Sequence, residues 1–152
     1  MQLDKFTDYA LRVLVILAVR APERLPTSAI AKIYDLSEHH LSKVATALVR
    51  GGFVTSERGR SGGLLLARPA DQINIGQVVR VLKSDDPVVE CFGSGTSCCI
   101  VPACGLRTPL QQAQEAFFAA LDVYSLADVT QQHSALAALL TPQDPLAPAR
   151  PD

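Results

Sequence analysis

The sequence predicts a mainly α-helical fold with one small β-hairpin, in which a winged helix-turn-helix is followed by a cysteine-rich loop and a long helix. Three observations predict it: helical apolar periodicity recurs before residue 51, two short apolar runs flank a loop of glycine and arginine, and all four cysteines lie between residues 91 and 104. A chain of 152 residues, 48% of them hydrophobic, is long enough to form a core without disulfide bonds.

The first helix is predicted over Tyr9–Val19, where apolar residues recur at helical spacing. Thr7 or Asp8 is expected to cap it, and Pro22 and Pro26 end the pattern. The chain therefore begins with an amphipathic helix that buries one face.

A short second helix starts at Thr27 or Ser28, and Ser37 is expected to cap a third helix that ends at Gly51. A short helix, a tight turn and an amphipathic helix are the parts of a helix-turn-helix, whose second helix enters the DNA major groove. An ordinary solvated helix face is the alternative interpretation. The residues expected to face bases and phosphates are Ser37, His39, His40, Ser42, Lys43, Thr46 and Arg50.

A hairpin follows, with strands predicted over Phe53–Ser56 and Leu64–Ala67 and a basic tip between them. The tip does not match a nucleotide-binding loop, because no Gly-Lys-Ser or Gly-Lys-Thr occurs in it and no helix follows at once. We therefore interpret it as the wing, which contacts the minor groove. A further helix is predicted over Ile75–Leu82. The wing residues expected to contact DNA are Arg58, Arg60, Ser61 and Gly62.

The charge is divided between the two parts of the chain. Residues 1–83 hold 12 Lys and Arg against 7 Asp and Glu, whereas residues 84–152 hold 2 against 8. The basic part indicates a polyanionic partner. No apolar run approaches the length of a membrane span and no secretory signal opens the chain, so a cytoplasmic protein is expected.

The four cysteines, Cys91, Cys98, Cys99 and Cys104, allow three interpretations. Structural zinc fits poorly, because its ligands usually come in pairs two to four residues apart. A thiol–disulfide switch needs only two of the four sulfurs. An iron–sulfur cluster takes several thiolates from one flexible loop and fits this spacing, although neither ferredoxin pattern matches. An enzyme is not expected, because no Cys-x-x-Cys precedes a helix.

A long helix is predicted after Thr108 as its cap, with Pro109 in its first position. Ser125 and Asp128 form a capping pair for a last helix over Leu126–Leu140. We divide the chain into the DNA-binding domain (1–83), the cysteine loop (84–107), the dimerisation helices (108–140) and a disordered tail (141–152). The seam expected to mediate self-association consists of Leu110, Ala113, Phe117, Ala120 and Tyr124.

Three segments together resemble one family. The opening run Phe6-Thr7-Asp8-Tyr9-Ala10-Leu11-Arg12, the wing from Arg58 to Gly63 and the later Pro102-Ala103-Cys104 are similar to the Rrf2 superfamily of winged-helix regulators, and within it to the nitric-oxide-sensing repressors. The resemblance extends over roughly residues 1–133. It implies a homodimer that binds a pseudo-palindromic double-stranded DNA operator and releases it in response to nitric oxide.

The resemblance also implies a ligand set. Cys91, Cys98 and Cys104 would hold an iron–sulfur cluster, [4Fe-4S] in preference to [2Fe-2S], with Cys99 as an alternative to Cys98. Asp8 of the partner subunit would supply the fourth ligand, although an acidic residue there also complements a helix dipole. Arg12, one turn after Asp8, would move between DNA and the carboxylate freed by nitric oxide. The cluster-biogenesis branch has a histidine ligand where this chain has Arg107.

Overall fold

The computed structural model describes residues 3–59, 62–83, 89–93 and 97–141. Within these ranges the fold is mainly helical, with one two-stranded antiparallel sheet, as the sequence predicts. The elements are α1 (Lys5–Val19), α2 (Thr27–Tyr34), α3 (Glu38–Arg50), β1 (Val54–Glu57), β2 (Gly63–Leu66), α4 (Ile75–Leu82), α5 (Arg107–Asp122), α6 (Leu126–Val129) and α7 (His133–Leu139).

Helix α1 begins earlier than predicted, and its cap is Asp4. The Asp4 carboxylate accepts a hydrogen bond from the Thr7 backbone N–H at 2.8 Å, which satisfies one of the free donors at the helix start. The prediction of Thr7 or Asp8 as cap is wrong, because Thr7 is fully buried and donates its own hydroxyl to Asp4. The polar residues before Tyr9 hide this extra turn when apolar spacing alone is considered.

The core lies between α1, α3 and the segments packed around them. Leu14 and Leu17 of α1 are fully buried against the apolar stripe of α3, which includes Leu41 and Leu48. Phe53, three residues after the end of α3, is also fully buried. Leu126 and Leu140 belong to the same cluster, so the last helices pack back against α1.

The hairpin pairs Val54 with Leu66 and Glu57 with Gly63, one residue away from the predicted bounds. Gly59 has φ +116°, a conformation that favours glycine, and Gly62 donates its N–H to the Gly59 carbonyl at 3.0 Å. A Cβ at Gly62 would overlap the backbone of Glu57. The turn therefore needs both glycines. Arg60 and Ser61 lie outside the described residues.

Helix α5 packs mainly against α4, and Leu121 near its end also contacts the core. Arg80 of α4 binds Glu115 at 2.9 Å and Asp122 at 2.8 Å, and its guanidinium lies 4.5 Å from the centre of the Phe118 ring. Phe118 is the one buried residue of α5. The prediction of Thr108 as cap is wrong, because the helix already begins at Arg107 and Leu106 precedes it without a capping side chain.

The structure has two short helices where one final helix was predicted. The Ser125–Asp128 capping box is present, as predicted, and starts α6. Thr130 ends that helix, with its hydroxyl donating to the Leu126 carbonyl at 2.8 Å, and α7 starts at His133. The prediction of one helix over Leu126–Leu140 missed this break, because the apolar residues stay in helical register across it. The predicted tail, apart from Thr141, lies outside the described residues.

Candidate DNA-binding surface and cysteine segment

Helices α2 and α3 meet at a turn of three residues. Asp35 ends α2 in the left-handed conformation, with φ +51°, and Leu36 donates its N–H to the Ala31 carbonyl at 2.9 Å. Ser37 occupies the N-cap position of α3, but its side chain makes no capping hydrogen bond, contrary to the prediction. The two helices and this turn have the arrangement of a helix-turn-helix.

The outer face of α3 carries the residues predicted to contact DNA. Leu41, Val44 and Leu48 are buried beneath it. Ser42 donates its hydroxyl proton to the Glu38 carbonyl and Thr46 donates to the Ser42 carbonyl, each at 2.9 Å, which leaves the oxygen lone pairs free to accept. The predicted contact residues are all exposed: Ser37, His39, His40, Ser42, Lys43, Thr46 and Arg50.

The hairpin is fastened to the loop between α1 and α2. Leu25 and Leu64 exchange backbone hydrogen bonds at 3.1 and 2.8 Å, and Arg24 binds Glu57 at 2.6 Å. Arg58 is exposed beyond this attachment. The structure therefore places Arg58 at the end of a supported strand pair beside the helix-turn-helix.

Asp8 and Arg12 form an ion pair along the exposed side of α1. The Asp8 carboxylate accepts from Arg12 through two nitrogen atoms, at 2.7 and 3.1 Å. Tyr34 of α2 donates its hydroxyl to the Arg12 carbonyl at 3.0 Å. Burial raises the pKa of Tyr34 to about 12, with Arg12 opposing and Asp8 adding to the shift, so this donor stays protonated at neutral pH.

A second ion pair, which sequence reasoning missed, ties α1 to the end of α4. Lys83 approaches the Asp4 carboxylate at 2.9 Å. Partial burial raises the pKa of Asp4, but the hydrogen bonds from Lys83 and Thr7 outweigh it and lower the pKa to about 2. An aspartate just before an apolar helix signals a cap, whereas a partner 79 positions away gives no local signal.

The cysteine segment forms two short 3₁₀ turns, Glu90–Phe92 and Val101–Ala103. None of the four cysteines forms a disulfide bond; Cys91 and Cys104 are half-buried, and Cys98 and Cys99 are exposed. Cys99 and Cys104 line one surface concavity of about 570 Å³, whose other walls are mainly apolar. Within the described residues, no three His, Cys, Asp or Glu side chains lie close enough together to hold a metal ion.

The chemistry of the donor set fits an iron–sulfur cluster. Reduced, accessible thiols on one short segment beside an apolar surface are the soft ligands that such clusters take. The single chain does not bring Cys91, Cys98 and Cys104 around one point, nor Asp8 to them.

None of the helices in the described residues is both long and apolar enough to cross a membrane.

Comparisons with known proteins agree on one family. The profile of the Rrf2 family, described as iron-dependent transcriptional regulators, matches residues 3–132. The HTH-type transcriptional regulator NsrR of Oceanobacillus iheyensis is 41% identical over 142 residues, which cover 92% of this chain and 97% of the relative. NsrR of Geobacillus kaustophilus and of Bacillus subtilis are 43% and 41% identical over the same shares.

Solved structures show the same fold. CymR, the global cysteine regulator of B. subtilis, superposes with a TM-score of 0.67 at 27% identity and covers 87% of this chain and 98% of its own. IscR of T. potens superposes with a TM-score of 0.68 at 24% identity, over 87% of this chain and 88% of its own.

Proposed function

Because the chain belongs to the Rrf2 family of transcriptional regulators, and is a regulator rather than an enzyme, we propose that it is a repressor of the NsrR type. It binds a pseudo-palindromic operator as a homodimer in the cytoplasm, holds an iron–sulfur cluster, and releases the operator in response to nitric oxide. The observation that carries this proposal is the similarity to NsrR over nearly the whole chain, with four cysteines outside any disulfide bond in the segment that would hold the cluster.

Cys91, Cys98 and Cys104 are the proposed thiolate ligands, and Asp8 of the partner subunit is the fourth. We favour [4Fe-4S] over [2Fe-2S]. When bound, the cluster supplies the iron chemistry that responds to nitric oxide. A carboxylate is a hard ligand for iron in a sulfide environment, so Asp8 would hold the cluster less firmly than the thiolates.

The Asp8–Arg12 pair supports a switch in which one carboxylate has two alternative partners. An exposed pair four residues apart contributes about 0.3–0.5 kcal/mol, so Asp8 exchanges it readily for a stronger interaction. With Asp8 engaged in the partner subunit's site, Arg12 is available to a DNA phosphate. When Asp8 returns, it takes the guanidinium away from DNA and lowers operator affinity.

Tyr34 supports a connection between this switch and the helix-turn-helix. Its hydroxyl holds α2 against the turn of α1 that contains Arg12. A shift of that turn therefore moves the first helix of the DNA-binding pair.

On DNA, Ser42 and Thr46 would accept hydrogen bonds from base amino groups, since their protons are already donated within α3. Lys43 and Arg50 would contact phosphates, with Ser37, His39 and His40 at the leading end of α3. Arg58, Arg60, Ser61 and Gly62 of the wing would approach the minor groove.

Self-association through α5 supports the two-site operator. Ala113 and Ala120 of the predicted seam are exposed, and Leu106 and Val123 at either end of the helix are 65% and 73% exposed. A second copy on this face would bury these apolar side chains and set the spacing of the two α3 helices.

A thiol-based or zinc-dependent regulator is the second candidate, favoured by the exposure of the adjacent Cys98 and Cys99. Analysis of iron, sulfide and zinc in anaerobically purified protein separates the two. Cys91→Ala is expected to abolish iron and sulfide binding, whereas Ser97→Ala, a control in the same segment that removes no thiol, retains both. Colourless wild-type protein with zinc in place of iron would overturn the cluster proposal.

A further inference from the structure

We propose that a concavity between α1 and α3 binds one phosphodiester of the operator backbone; this inference rests on the proposed function and extends its DNA contacts to α1. The concavity has a volume of about 280 Å³ and is lined by Lys5, Phe6, Tyr9, His40, Lys43 and Val44. Three of these residues belong to the first turns of α1 and three to α3.

The charges around the concavity favour an anion. Lys5 and Lys43 are exposed, and neither forms an ion pair with any part of the chain that the structure describes. The two nearest carboxylates of α1 are already neutralised, because Asp4 binds Lys83 and Asp8 binds Arg12. No carboxylate of the described residues lines the concavity, so the two ammonium groups give its rim a positive charge.

The floor of the concavity explains why a nucleic-acid backbone is a better occupant than a free ion. Phe6 is 37% exposed although it is aromatic, and Val44 closes the bottom as a buried residue. A phosphodiester brings an apolar deoxyribose next to its charge, which matches an apolar floor with a cationic rim. The site also flanks the exposed face of α3, where a strand of the duplex passes when that helix lies in the major groove.

The site gives α1 a second role. The helix that carries Asp8 and Arg12 would also hold the DNA backbone directly through Lys5, with Tyr9 beside it. A rearrangement of α1 would then change a DNA contact directly, without first moving α2.

The test measures how the affinity for a labelled operator duplex changes with salt. Lys5→Ala is expected to weaken binding several-fold and to lower the slope of log affinity against log salt by about 0.9 for each phosphate that is no longer neutralised, or about 2 for a dimer. Lys5→Arg keeps the charge and should restore the wild-type slope. Lys32→Ala removes an exposed lysine of α2 that does not line the concavity, and should leave the slope unchanged.

A duplex series with single neutral methylphosphonates identifies the phosphate that is bound. A methylphosphonate at one position in each half-site should weaken operator binding by the wild type but should not weaken binding by Lys5→Ala any further. Additive effects at every position, or an equal slope in Lys5→Ala and Lys32→Ala, would overturn the inference. Competition by inorganic phosphate beyond that of chloride at equal ionic strength would assign the site to a free anion instead.

The two proposals fail separately. If nitric oxide releases the operator but Lys5→Ala has the wild-type salt slope, only this inference fails. If Lys5→Ala lowers the salt slope but operator binding by the wild type responds neither to iron nor to nitric oxide, only the proposed function fails.

Discussion

The carboxylate of Asp8 binds the guanidinium of Arg12 one helical turn later, at 2.7 Å, on the exposed side of α1. The same backbone turn accepts a hydrogen bond from Tyr34 of α2. A charged pair that is weak in itself thus lies on a turn that α2 contacts, and whatever draws Asp8 away leaves the Arg12 guanidinium without its partner at that turn.

Asp8→Ala is expected to alter the absorption spectrum of the anaerobic protein and its rate of reaction with nitric oxide, because the cluster then lacks one ligand. Arg12→Ala should leave the spectrum unchanged and weaken operator binding severalfold, because the proposal assigns Arg12 to a DNA phosphate and not to the cluster. Stopped-flow absorption and anisotropy measure the two effects. A spectrum and rate identical to the wild type in Asp8→Ala would restrict Asp8 to its ion pair.

The Asp4–Lys83 ion pair predicts a pH-dependent contribution to stability. The pKa of Asp4 lies below its ordinary value of 3.8, at about 2, so its stabilisation is complete above pH 3.8 and is lost as the pH falls toward 2. Because the Asp4 side chain is 39% exposed, we expect Asp4→Asn to lower the free energy of unfolding by only about 1 kcal/mol at neutral pH. Asparagine keeps the cap, so the charge alone is tested.

Urea unfolding of wild type and Asp4→Asn at several pH values measures this difference. Asp71→Asn is the control, since Asp71 is exposed and forms no ion pair within the described part of the chain. A difference between wild type and Asp4→Asn that stays constant from neutral pH to pH 2 would contradict the assignment of the stabilisation to this charge.

If the hairpin is a DNA-binding wing, removal of either of its arginines should lower DNA affinity. Arg58→Ala and Arg60→Ala should each weaken operator binding and reduce its salt dependence, because each removes a cation that neutralises the DNA backbone. Arg107→Ala removes an exposed arginine at the start of α5 and serves as the control. Wing variants that match this control in both affinity and slope would show that the hairpin lies away from DNA.

Self-association through α5 predicts that Ala120→Glu yields a folded monomer. The side chain is exposed in the single chain, so a glutamate leaves the fold intact but places a charge in the dimer interface. Light scattering should give twice the 16.3 kDa chain mass for the wild type and the single mass for the variant. A dimeric Ala120→Glu protein would place the interface elsewhere.

Local patterns were sufficient to predict most of the fold. The bounds of α4 and the Ser125–Asp128 capping box were predicted as observed, because apolar spacing and capping residues act within a few positions. The start of α1 and the division between α6 and α7 were not. Both depend on single polar side chains, Asp4 and Thr130, whose hydrogen bonds interrupt or extend a helix against the apolar pattern.

The residue types of the site could be predicted from the sequence, but the contacts between distant residues could not. The exposed face of α3 follows directly from its buried stripe. The bonds from Tyr34 to Arg12 and from Lys83 to Asp4 join residues 22 and 79 positions apart, which only the folded chain brings together. The roles of Cys91, Cys98, Cys104 and Asp8 as ligands stay predictions that need the metal-loaded dimer.

The most direct test titrates anaerobic wild-type protein with nitric oxide while native mass spectrometry and operator binding are followed on the same samples. We predict a dimer that carries iron and sulfide, binds the operator tightly before the titration, and releases it in proportion to the nitric oxide consumed. A dimer without iron or sulfide that holds the operator equally well throughout the titration would contradict the proposal that cysteine-held iron controls DNA binding.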